Sequence, residues 1–117
     1  MAITYAKLVS GNPLMVDHTP GSDVSAGDVV VVGDETMVAH LDIASGRPGS
    51  LSPVGGVYEM PKAAGGSTAI AAGKRVYWDA TNHVVTVTST DNKKFGVTVK
   101  ASVDADTSVH VLKTTTD

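Results

Sequence analysis

The chain has 117 residues, nine basic and twelve acidic side chains for a net charge of −3, and no cysteine. That length fits one core of ordinary domain size and leaves no room for a two-domain enzyme, and without cysteine there is no disulfide framework, thiolate metal site or cysteine nucleophile. The charge has the wrong sign for a module that lives on phosphate backbones, so nucleic acid is not an expected partner.

Nineteen valines and thirteen threonines stand against five leucines and one phenylalanine. β-Branched side chains favour a pleated surface, and twelve glycines with five prolines are spread along the chain as punctuation. This predicts an all-β fold, a small antiparallel β-barrel or sandwich built from hairpins, with at most one short helical turn. The longest apolar run of note, Val29 to Val32, is far short of the roughly 20 residues that span a bilayer. No membrane partner is expected, and Met1 to Lys7 lacks the basic start and apolar stretch of a secretory signal.

In chain order, Gly11-Asn12-Pro13 and Thr19-Pro20-Gly21 are turn signals around one short strand candidate, Leu14 to His18. Residues 1–24 are therefore predicted as an extended N-terminal arm, 25–113 as a single β-domain and 114–117 as a polar tail. Ala26-Gly27-Asp28 leads into the four valines, Gly33-Asp34-Glu35 turns, and Thr36 to Leu41 returns, a β-hairpin. Because the valines do not alternate with polar residues, the strand is expected to be central and covered on both faces. Asp42 to Pro53 is rich in Gly, Ser and Pro and reads as a connection, and Gly55 to Met60 as a short strand closed by Pro61.

Ser67 to Gly73 is the helical candidate, with Ser67 as cap and Gly73 in the left-handed position after it. Ala72-Gly73-Lys74 then repeats the Ala-Gly start 46 residues on and leads into Arg75 to Trp78, a turn over Asp79 to Asn82, and a return over His83 to Thr88. The recurrence predicts a shared hairpin device. The last two strands alternate, Phe95, Val97, Val99 and Ala101 on one face of the first, Val109 and Val111 on one face of the second. The predicted core is Val31, Val76, Trp78, Val85, Val87, Phe95, Val97, Val99, Val109 and Val111.

No arrangement for catalysis emerges. His18, His40, His83 and His110 are all more than 20 residues apart, so none forms a two-ligand metal spacing. Asp17-His18 has no serine in a nucleophile elbow to serve. Most carboxylates stand beside Gly, Asn, Ala or Thr in turns, where they bond nearby N–H groups, and Asp104-Ala105-Asp106 supplies two side chains where a calcium cage needs six or more ligands. Gly66 to Arg75 has a nucleotide-loop flavour but separates its glycines by six residues instead of four and puts Arg75 where a hydroxyl belongs. The basic pairs Lys74-Arg75 and Lys93-Lys94 do not interleave with aromatics.

Several segments in order carry a family likeness: T-P-G-S-D-V-S-A-G-D-V-V-V-V-G-D at 19–34, D-I-A-S-G-R-P-G-S-L at 42–51, G-G-V-Y-E-M-P-K at 55–62 and A-I-A-A-G-K-R-V-Y-W-D at 69–79. With K-F-G-V-T-V at 94–99 and V-H-V-L at 109–112, the chain resembles the small capsid cement or decoration proteins of tailed phages over residues 14–113. The resemblance implies a homo-oligomeric β-domain, most often a trimer, on the outer surface of the capsid of a virion, clamping neighbouring major capsid protein subunits. It implies no catalytic residue, cofactor or metal; the alternative is another β-rich virion component, a head-fibre or tail protein. An extended arm can add a strand to another chain's sheet edge, which makes Ala2, Ile3, Tyr5, Leu8, Leu14 and Val16 the candidate capsid-contact residues.

Overall fold

In the computed structural model, which describes residues 5–114, β-branched runs broken by positive-φ glycines fold back on one another as ten strands, with no helix among the described residues. They are β1 (Lys7–Ser10), β2 (Leu14–His18), β3 (Val29–Val32), β4 (Glu35–Ala39), β5 (Gly49–Val54), β6 (Val57–Pro61), β7 (Arg75–Asp79), β8 (Val84–Thr86), β9 (Lys93–Thr98) and β10 (Ser108–Lys113). A six-stranded sheet in the order β1-β6-β10-β9-β7-β8 and a four-stranded sheet in the order β2-β5-β4-β3 pack as a sandwich. Every strand pair in both sheets is antiparallel. The main core is one cluster that joins Val38 of the four-stranded sheet to Tyr58, Met60, Val76, Trp78, Val85, Phe95, Val109 and Val111 of the six-stranded sheet.

The recurring Ala-Gly device is the same piece of backbone in both sheets. Gly27 has φ +89 and Gly73 φ +76, values open to glycine at little cost. The Gly27 N–H donates to the Ala39 carbonyl at 2.7 Å while the Ala39 N–H donates to the Asp28 carbonyl at 2.9 Å. The Gly73 N–H donates to the Thr98 carbonyl at 2.7 Å and the Thr98 N–H to the Lys74 carbonyl at 2.9 Å. Each is a glycine bulge at the start of a strand, pairing β3 with its hairpin partner β4 in one sheet and β7 with β9, beyond its hairpin partner β8, in the other, and the orders β2-β5-β4-β3 and β6-β10-β9-β7 match strand for strand. The molecule is two copies of one four-strand layout, the second extended by β1 and β8.

Several expectations are corrected. β3 is the edge of its sheet, not its centre. Its unbroken valines reflect half-burial on both faces at one end, Val29 against the main core and Val30 against a second cluster of Val24, Ala39, Ile43 and Leu51, while Val31 and Val32 are exposed. Val87 and Val99 are exposed too, and Val97 is half-buried. The cause in β9 is one extra residue: Val76 pairs with Gly96 but Tyr77 with Lys94, so Phe95 is bulged and the alternation changes phase. Gly96 and Thr98 then turn inward with Phe95, and Val97 and Val99 outward.

Asp42 to Pro53 contains an interior strand, β5, whose Leu51 and Ser52 are fully buried. Pro53 is tolerated there because the β2 partner skips from Val16↔Leu51 to Leu14↔Val54, an irregularity that removes the need for a ladder donor. Ser67 to Gly73 is not helical. Ile70 exchanges backbone hydrogen bonds with Ser102 at 3.1 and 2.8 Å, and the Asp104 carboxylate accepts the Thr68 and Ala69 N–H groups. These partners take the donors that a helical turn would have needed.

Candidate functional site

Of the segment read as an arm, the part from Tyr5 onward lies on the sandwich. Ala6 is buried and donates its N–H to the Gly27 carbonyl at 2.9 Å. β1 pairs with β6 at one edge of the six-stranded sheet and β2 with β5 at one edge of the other. Between them Gly11 crosses the β5–β6 connection so closely that a Cβ would come within 3.0 Å of the Gly56 Cα, and Gly11, Gly55 and Gly56 all have positive φ.

This crossing puts apolar side chains of both edge strands in solvent. Leu14 is 59% exposed, and Leu8, Val9, Met15 and the β10 residue Leu112 are also exposed. Of the sequence candidates, Leu8 and Leu14 are therefore surface groups, and Val16 is half-buried opposite Leu51. Tyr5 is half-buried and packs inward, stacked on His83 at 4.8 Å and edge-on to Trp78 at 6.0 Å. Ala2 and Ile3 lie outside the described residues. Val9, Met15 and Leu112 join the surface without having been singled out. For Val9 and Met15 the unalternated Leu8-Val9 and Leu14-Met15-Val16 runs were the signal, since such runs put apolar groups on both faces of a strand.

Charged groups elsewhere serve the fold. A groove of about 440 Å³ beside β8 includes Lys62, Asp79 and Asn82 in its lining. The buried Lys62 Nζ donates to the carbonyls of Ala63, Val103 and Asp106. Asp79 accepts the Thr81 and Asn82 N–H groups and the Asn82 amide, which hold its carboxyl below the usual range. Asp23, Asp28, Asp42, Asp104 and Asp106 likewise accept backbone N–H groups in turns. His40 Nε2 lies 2.6 Å from the buried Tyr58 hydroxyl, and burial lowers the imidazole pKa and raises that of the phenol. None of these side chains forms a nucleophile with its base.

Lys113 carries a stability signature. Only 1% exposed, its Nζ donates to the Pro53 and Thr114 carbonyls and sits 5.2 Å from the Phe95 ring centre. Burial lowers its pKa to about 8, with Glu35 opposing and Arg75 assisting. The folded state therefore releases this proton at a lower pH than the unfolded chain does, and stability rises with pH through that window. The expected gain between pH 8 and pH 10 is about 2 kcal/mol, measured by urea unfolding, and Lys113→Met should flatten it. Above pH 10 the buried Tyr58, with its raised pKa, works in the opposite direction.

The described surface thus offers apolar edge strands. No curated protein and no solved structure matches the chain. The phage cement protein family matches residues 9–113, from the end of β1 through β10. The chain belongs to the phage cement proteins, structural proteins of the virion.

Proposed function

We propose that this protein binds the outer surface of a phage capsid as a homotrimer and ties neighbouring major capsid subunits together, through the apolar side chains that β1 and β2 hold in solvent. The observation that carries this reading is the exposure of Leu8 and Leu14 on two edge strands joined by the Gly11 crossing. Ala2 and Ile3 precede them in the contact segment, and Tyr5 anchors it to the core through Trp78 and His83. The β1 edge suits an extended partner, because backbone hydrogen bonds and side-chain burial are gained together there without a pocket, while β2 offers its exposed side chains.

The effect needs no turnover. A protein that binds the mature lattice more tightly than the immature one stabilises the mature state by that difference. Each contact can be modest, because one oligomer over a junction raises the effective concentration for every further contact.

The double variant Leu8→Asp/Leu14→Asp should keep its circular dichroism spectrum, since both side chains are exposed, and lose at least about tenfold in affinity for undecorated mature heads, roughly 1.4 kcal/mol. Unchanged occupancy would remove β1 and β2 from the contact. Wild-type protein should raise the heads' resistance to heat in proportion to occupancy, saturating at hundreds of copies; a handful of copies per particle would favour a head-fibre or tail role instead.

A further inference from the structure

We propose that copies of this chain join edge to edge, β3 of one copy pairing antiparallel with β2 of the next, so that the four-stranded sheets run head to tail around the oligomer. This rests on the trimer reading above and names its contact. The two-residue loop Gly33-Asp34 makes Val32 and Glu35 a hydrogen-bonded pair. Alternation then makes Val30↔Met37 hydrogen-bonded and leaves Val29↔Val38 and Val31↔Thr36 non-bonded. The N–H and C=O groups of Val29 and Val31 point away from β4, toward the edge that no strand of the described residues pairs with. The Ala39 N–H bonded to the Asp28 carbonyl, two residues before Val30, fits this phase.

The molecule itself shows what such an edge accepts. β7 follows Gly73 as β3 follows Gly27, and Tyr77 occupies the place of Val31, each four residues after its glycine. The outer edge of β7 is covered by an antiparallel strand of small β-branched residues, Val84-Val85-Thr86, with Tyr77 opposite Thr86. Among the described residues β3 has no such cover. It also has no internal charge, proline or bulge, the devices that keep a free edge from pairing.

Two further observations select β2 of a second copy. An antiparallel sheet of four strands has edges that run in opposite directions, so β2 of the next copy meets β3 as β8 meets β7. β2 is the other uncovered edge of that sheet and carries exposed Met15, an apolar partner for the exposed Val31. Charge argues against the alternative of β3 on β3 about a two-fold axis. That pairing sets Asp28 of each copy beside Asp34 of the other, like charges at both ends, whereas β2 brings His18, next to its one carboxylate Asp17, to one flank and the uncharged Asn12-Pro13 to the other. A head-to-tail contact is heterologous and closes into a ring when its rotation fits. Strand addition uses main-chain groups in the sheet plane, so the Leu8 and Leu14 side chains remain free for the capsid.

Val31→Pro deletes only an outward-pointing N–H, and Met15→Lys puts a charge on the β2 edge. By size-exclusion chromatography with light scattering, the wild type should be a trimer and each variant a monomer with a native circular dichroism spectrum. Mixed in equal amounts, the two variants should form a heterodimer and nothing larger, because each keeps the edge that the other lacks. Val31→Lys replaces Val31→Pro if the proline variant does not fold. A monomeric wild type, or trimers that persist in the Val31 variants, would overturn the proposal. So would self-association of Met15→Lys, which points to two-fold β3 pairing. A Val31 variant that stays trimeric yet no longer binds heads would make β3 a capsid contact, overturning the self-pairing while leaving the cement reading in place.

Discussion

Phe95→Ala is expected to lower stability by about 3–5 kcal/mol, the range for removing a fully buried aromatic ring. Phe95 has no exposed surface, its ring lies 5.2 Å from the Lys113 ammonium, and it packs in the core shared by both sheets. Truncation leaves a cavity at the bulge of β9 and takes away the ring that partly compensates the buried charge. Against a total stability of about 5–15 kcal/mol for a domain, that is a large fraction. Urea or thermal unfolding monitored by circular dichroism measures it, with a fall in Tm above about 10 °C expected. An unchanged Tm would place Phe95 outside the core.

Gly96→Ala should be comparably severe for the opposite reason. A Cβ at this position would overlap the Leu112 carbonyl oxygen and lie 2.9 Å from Val111 Cγ1. The oxygen belongs to the backbone of the neighbouring strand β10, so no side-chain rotation relieves the overlap and the β9–β10 ladder has to part. Overpacking of this kind costs about 3 kcal/mol or more. The check is soluble yield and the urea midpoint beside Gly33→Ala, whose Cβ would meet nothing within 4 Å and whose cost is confined to its φ of +63. Equal midpoints for the two variants would show that β10 does not approach Gly96 as closely as described.

These two neighbours also show where sequence reading reaches its limit. The all-β class, the Ala-Gly hairpin starts, the stop at Pro61 and the inward Val109 and Val111 were legible, because each depends on local backbone preference or simple period-two alternation. The bulge at Phe95 was not. One extra residue reverses the phase of everything after it, and only Gly96 marks the place. The edge position of β3 was equally hidden, since an unbroken apolar run reads the same whether its cover is a second strand or loops bearing Val24 and Ile43. β5 was missed because buried Ser52 and Pro53 carry the composition of a turn. At the candidate site, Leu8 and Leu14 could be picked from an apolar segment of low periodicity. That Tyr5 turns inward while Met15, Val9 and Leu112 stay out depends on a crossing between sheets that no local pattern encodes.

Tyr5, Trp78 and His83 form a natural optical probe. Trp78 is the chain's single tryptophan, and it lies 6.0 Å from Tyr5 and 6.2 Å from His83. Energy transferred from the tyrosine, and contact quenching by the neighbouring imidazole, both report on the point where the N-terminal segment meets the core. Detachment of that segment on a capsid would change the indole emission without any unfolding of the sandwich. Movement of the N-terminal segment against the core can therefore be followed in unlabelled protein, separately from the global transition seen in the backbone signal.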